Sequence, residues 1–187
     1  MKKLLIILTA YFSIITAGEW QVDKNGENSV VFHSSTTLLD FKGTTENIDG
    51  YLYWEGDSLI PVGSEFYFEV KPATFRTGIG KRDSDMREDV LETNKYPVSS
   101  FKGKIFETER VKNSFKIKAT GIFSLHGKTK EITVNATIKQ LKKKLQINSD
   151  FSLFLKDYMI EAPSLMAFVK VAQEIKLSLS FDLIKIK

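Results

Sequence analysis

An all-β fold, an eight-stranded antiparallel barrel with one main helix, is what this 187-residue sequence predicts. Three observations carry that reading. About eight stretches alternate between apolar and polar side chains, the pattern of strands with one dry face and one wet face. Turn dipeptides separate them. Only the stretch Thr77 to Phe101 carries helix signals. A sheet of this size can close on itself and so remove its edges. The interior then takes either packed side chains or one small ligand. A two-sheet sandwich shares the alternation, so periodicity leaves both arrangements open.

In chain order, Trp20-Gln-Val-Asp23 precedes the turn pair Asn25-Gly26. Ser29 to Ser34, Phe41 to Gly43 and Ile48 to Trp54 read as strands. In the last of these Ile48, Leu52 and Trp54 share one face, and Asp49, Tyr51 and Tyr53 the other. Glu65 to Val70 sets Phe66, Phe68 and Val70 against Tyr67 and Glu69. After the helix, Ser100 to Phe106 returns to strand. Phe115 to Leu125 and Ile132 to Ile138 form a hairpin around His126-Gly127-Lys128. Leu145 to Leu155 and Ile175 to Leu183 complete the set, with Lys176, Ser178, Ser180 and Asp182 on the wet face of the last strand. Gly43, Gly50, Gly103 and Gly121 suit bends or bulges at barrel corners.

The helix is expected at about 82–94. Asp83 or Ser84 would cap it, Asp85, Glu88 and Asp89 would sit at the positive end of its dipole, and Pro97 would end it. Met86, Val90 and Leu91 give it one narrow apolar face. A lone helix in such a chain plugs or lids one open end of the barrel.

Lys2 and Lys3 followed by the apolar run Leu4 to Ile15 and the small residues Thr16, Ala17 and Gly18 read as a cleaved Sec-type signal, residues 1–17. The expected location is therefore the periplasm, with one domain over 18–187. Removing both lysines leaves 25 basic against 23 acidic side chains, a balance that points to no nucleic acid. The most basic run, Lys139 to Lys144, lacks aromatics for base stacking and reads as a solvated hairpin turn. With no cysteine there is neither a disulfide framework nor thiolate chemistry. Two histidines, His33 and His126, and scattered carboxylates give no metal-ligand spacing, and no nucleotide or nucleophile motif occurs. The expectation is no catalytic residue, no metal and no cofactor. An outer-membrane barrel would turn the lysine- and serine-bearing face to lipid.

An ordered set of motifs resembles the YceI-like proteins, a lipocalin-like group of bacterial periplasmic proteins. These are Trp20-Gln-Val-Asp23, Ser29-Val-Val-Phe32, Phe41-Lys-Gly43, Ile48-Asp-Gly50, Thr77-Gly78, Arg82-Asp83, Met86-Arg-Glu88, Lys95-Tyr-Pro97 with Phe101, Leu125-His-Gly127, Thr129-Lys130 and Asp157-Tyr158. The late element departs from the family pattern, with Leu155 where an arginine is expected and Met159 where a glycine is expected. The resemblance implies an extended barrel around a hydrophobic tunnel for a long-chain amphiphile, such as a polyisoprenoid or fatty amide. It brings no catalytic residues.

The candidate walls of that tunnel, chosen by alternation, are Phe66, Phe68, Phe101, Phe123, Leu125, Phe151, Leu177 and Leu179. The candidate mouth residues are Arg82, Asp83, Arg87, His126 and Tyr158. The expected partner is a lipid. A homodimer, motivated by outward Tyr51 and Tyr53, and a transient membrane contact complete the partner expectations. Two other readings stand beside the carrier: an enzyme on an isoprenoid or quinone lipid using Asp83, His126 or Asp157, and a filled structural barrel.

Overall fold

The computed structural model describes residues 17–166 and 169–186. All but the last residue of the segment read as a signal therefore lies outside the described residues. The chain forms a closed antiparallel barrel with eight staves. The strands are β1 (Ala17–Val22), β2 (Ser29–Ser35), β3 (Asp40–Thr45), β4 (Ile48–Glu55), β5 (Glu65–Val70), β6 (Ser99–Val111), β7 (Ser114–Leu125), β8 (Lys128–Gln140), β9 (Lys144–Phe154), the short ribbon β10 (Ser164–Met166) with β11 (Val169–Lys170), and β12 (Glu174–Lys185). Round the barrel the order is β1, β4, β5, β6, β7, β8, β9, β12, with β12 pairing back to β1.

Two staves are interrupted. β1 and β2 share one edge of β12, β1 along Leu183 to Lys185 and β2 along Lys176 to Ser180. Between them the chain loops out over Asp23 to Asn28 and is tied down at Asp182. The Asp23 N–H donates to the Asp182 carbonyl at 2.9 Å, and the Asp182 N–H donates to Asn28 Oδ1 at 3.1 Å. Asp182, read from alternation as facing water, is thus only 6% exposed. Lys144 lies 2.6 Å from the Asp23 carboxylate and 3.4 Å from that of Asp182, so the basic run ends in a charge cluster, not wholly in a solvated turn.

The helix differs from the expected 82–94. It spans Gly80–Asp85 (α1) and continues as a π-helical turn, Met86–Val90. Its start is fixed by tertiary pairing: Arg76 and Thr44 exchange two backbone bonds of 2.9 Å, which leaves Ile79 as the extended residue before the first turn. Neither Asp83 nor Ser84 caps it. The helix has ended well before Pro97, at Leu91, and Glu92 takes a positive φ.

The interior glycines are not bulges. The one register break in the long strands falls between Ile105 and Glu107 and leaves outward-facing Phe106 as the extra residue. Gly43 instead lies beneath the Phe32 ring, and Gly103 and Gly121 face each other across β6 and β7 so closely that a Cβ on either would meet a carbonyl oxygen at 2.0–2.2 Å.

β8 pairs with β9 only over Ala136 to Gln140. Beyond that fork, the turn Leu155–Tyr158 and Ile160 pack with Phe123 and Leu153 as a second apolar cluster. Lys130 of β8 pairs with Asp157 of this turn.

Candidate functional site

The barrel is solid at one end and hollow towards the other. Leu145 and Leu183 face the interior with no exposed surface. With Trp54 and Phe115 they close the far end and do not border the cavity at the other. Nearer the helix, Phe68, Phe101, Ile132, Phe151, Leu177 and Leu179 also belong to the core clusters, yet they remain only half-buried. The surface that Phe68, Phe101, Phe151, Leu177 and Leu179 keep faces an internal cavity of about 480 Å³. That size falls within the range of roughly 300–1,000 Å³ that small-molecule pockets occupy.

All eight wall candidates border this cavity: Phe66, Phe68, Phe101, Phe123, Leu125, Phe151, Leu177 and Leu179. Period-two alternation put them there, because successive strand side chains point to opposite faces. Their rings interlock, Phe66 with Phe101 at 4.9 Å and Phe68 with Phe181 at 4.9 Å. The expected apolar face of the helix, Met86, Val90 and Leu91, closes over them and borders the same space.

The mouth candidates divide. Arg82 borders the cavity, with its guanidinium 4.6 Å above the Phe41 ring and hydrogen-bonded to the Thr77 hydroxyl at 2.8 Å and the Thr77 carbonyl at 2.9 Å. Tyr158 borders it too, but as a wall residue with 0% exposure, and its hydroxyl has no partner. Burial pushes the Tyr158 phenol up to about 12, with the neighbouring Asp157 charge adding to the shift.

Asp83, Arg87 and His126 do not border the cavity. Asp83 is buried and accepts from the Thr77 N–H at 2.8 Å and from the Thr77 hydroxyl. Burial pushes its carboxyl up, but the Thr77 bonds and the charges of Arg87 and Arg76 outweigh this and hold it below the usual carboxylate range. It therefore ties the helix to its own entry loop. Half-buried Arg87 contributes charge to that arrangement. His126 places Nε2 2.7 Å from the Glu92 carboxylate and packs edge-on to Tyr96 at 4.5 Å. Gly127, at φ +68°, lets that Tyr96 ring lie against the turn, where a Cβ would meet it at 2.4 Å. The pair latches the segment after the helix onto the β7–β8 turn.

Alternation missed several bordering residues. Glu69, Asp85 and Asp89 are the acidic groups at the rim, and Ser34, Phe41, Phe75, Pro163 and Val171 complete that end. The spacing of Asp85 and Asp89, four apart beside Met86 and Val90, was the available signal. Among the described residues that border the cavity, Arg82 is the one cation against those three carboxylates.

Asp83, His126 and Asp157, the acid–base trio of the enzyme reading, are held by three different partners: Thr77, Glu92 and Lys130. Among the described residues no three His, Cys, Asp or Glu side chains are grouped to hold a metal ion.

The model of the YceI-like domain matches residues 20–183. The chain belongs to the YceI-like family. A UPF0312 protein of Pseudomonas savastanoi pv. phaseolicola is 28% identical over 196 residues, covering 97% of both chains. Protein YceI of Shigella flexneri is 28% identical over 148 residues, covering 74% of this chain and 73% of that one. Among solved structures, a polyisoprenoid binding domain from Saccharophagus degradans superposes with a TM-score of 0.74 at 16% identity, covering 89% of this chain and 98% of that one. BcnA of Burkholderia cenocepacia gives 0.71 at 16% identity, covering 86% and 98%. At that identity the two structures show the barrel fold alone.

Proposed function

We infer that this YceI-like protein is a non-enzymatic carrier that holds one long-chain amphiphile, with the chain in the hollow end of the barrel and the head at the helix end. The observation that carries this reading is the cavity itself: about 480 Å³, walled by phenylalanine and aliphatic side chains and blind at the far end. Each methylene buried there contributes roughly 0.8 kcal/mol, so a long chain binds well with few polar contacts. The polyisoprenoid-binding domain among its structural neighbours supports an isoprenoid ligand, and a fatty amide fits the same walls.

The rim argues for a neutral head. Of the acidic residues bordering the cavity, Asp85 is paired to Lys81 and Glu69 accepts from Tyr67, and the one guanidinium that borders it among the described residues is already engaged by Thr77 and Phe41. An anionic head would meet Asp89 and find that guanidinium already engaged. The signal-like N-terminal run supports a carrier that works in the periplasm, where an apolar chain needs shielding from water during transport, storage or sequestration.

Competition against a fluorescent long-chain probe tests the reading. A polyprenol or a fatty amide displaces the probe at micromolar concentration, and the fatty acid of equal chain length needs a much higher concentration. Failure of every neutral long-chain compound to displace or bind would overturn the carrier reading and favour a filled, partner-binding barrel. Of the two aromatics that motivated a homodimer, Tyr51 stacks on Tyr67 of its own sheet at 6.2 Å, and the Tyr53 hydroxyl donates to Glu55 at 3.1 Å.

A further inference from the structure

The connections at the helix end of the barrel carry apolar side chains that the fold holds out in water. The β2–β3 turn presents Leu38 at 76% and Leu39 at 54% exposure. The start of α1 adds Ile79 at 54%, and the link from β9 to β10 adds Met159 at 71%. The leucines are fixed in place. The Thr36 hydroxyl accepts from the Leu38 N–H at 3.2 Å and the Leu39 N–H at 3.1 Å, while the Thr36 N–H donates to the Leu39 carbonyl at 2.8 Å. A turn closed this tightly cannot fold its leucines back.

This turn is continuous with the cavity opening. Ser34 and Phe41, the strand pair just below the turn, both border the cavity, and Thr36 bridges to Val171, which borders it as well. Ile79 lies three residues before Arg82, whose guanidinium rests on Phe41. Around the opening four cations, Lys42, Lys81, Lys170 and Arg82, stand against four anions, Asp40, Glu69, Asp85 and Asp89, and Lys81 is paired to Asp85 at 2.5 Å. The rim is thus apolar at its tip and close to neutral around it.

We propose that Leu38 and Leu39, with Ile79 at the start of the helix, dip into the surface of a lipid bilayer and bring the cavity mouth against it, so that the ligand passes between bilayer and barrel without crossing water. This rests on the carrier reading, and it commits to a bilayer because an amphiphile with so long a chain resides there. The near-neutral rim makes the contact a matter of apolar insertion, with little dependence on anionic lipid.

The test uses phosphatidylcholine vesicles with a fluorescently labelled long-chain amide, and compares the wild-type protein with L38S/L39S. The expected wild-type transfer rate rises with acceptor vesicle concentration and changes less than twofold when phosphatidylglycerol is added. The double variant transfers at least tenfold more slowly, with equal affinity for the probe in solution and an equal Tm. In a flotation assay without probe, wild type rises with the vesicles and the variant does not. If both proteins transfer at equal rates, or if neither floats, the proposal is overturned and the leucines serve a protein partner. If the probe does not bind but flotation still separates the two proteins, the carrier reading fails while the bilayer contact stands.

Discussion

Filling the cavity from its wall separates a hollow barrel from a solid one. Ala136 on β8 lies between Ile117 and Ser149 on the neighbouring strands, borders the cavity and is half-buried. Ala136→Phe projects a ring of six carbons into that space. In a filled core, added bulk costs about 1–3 kcal/mol. With about 2–4 °C per kcal/mol for a domain of this length, Tm would fall by about 2–12 °C. In the hollow barrel the ring enters empty space, so Tm holds or rises. The ring should displace about three to four methylenes of a bound chain, at roughly 0.8 kcal/mol each. That is about 2.4–3.2 kcal/mol, or an affinity loss of about 50- to 200-fold. Thermal melts and probe titrations of the two proteins give both numbers. A variant that melts several degrees lower, or that binds as tightly as wild type, would refute the reasoning.

Three further outcomes concern side chains around the site. Tyr158→Phe removes a buried hydroxyl that has no partner, so it should be neutral or stabilising by about 1 kcal/mol, whereas Tyr158→Ala should cost about 3–5 kcal/mol; urea melts compare them. Asp83 has a carboxyl held below its ordinary value in the folded protein, so its contribution is full above about pH 4 and is lost as pH falls through the lower folded value. Hydrogen-exchange protection factors over residues 77–91 should therefore fall in acid, and Asp83→Asn should show low protection at every pH. Lys144→Met should leave Asp23 and Asp182 facing each other without their cation and lower Tm at pH 7. The Asp23 carboxyl is held low chiefly by the Lys144 hydrogen bond, so that deficit should shrink as pH falls through the lowered Asp23 value.

The parts of this molecule legible in the sequence are those governed by local period. Alternation put Phe66, Phe123, Leu177 and the other walls on the inner face, because a strand leaves a side chain no other choice once register is set. Met86, Val90 and Leu91 were legible as one face for the same reason. Most of the misreadings involve partners distant in sequence. Asp182 follows the alternating pattern outward, but Asn28, 154 residues earlier, and Lys144 enclose it. Asp83 looks like a cap until the Thr44–Arg76 bridge fixes where the helix begins. His126 and Arg87 carry mouth chemistry in the sequence, and the fold spends it on Glu92 and on the helix entry. Whether the interior is filled depends on how far facing staves stand apart, and no single strand encodes that distance.

The central claim is that the hollow end holds one amphiphile, and native mass spectrometry of the protein purified from its own cells tests it most directly. With organic extraction alongside, the account predicts a stoichiometric added mass that leaves with the solvent and identifies as a neutral long-chain compound. A bare polypeptide mass that stays bare after incubation with polyprenols and fatty amides would contradict it.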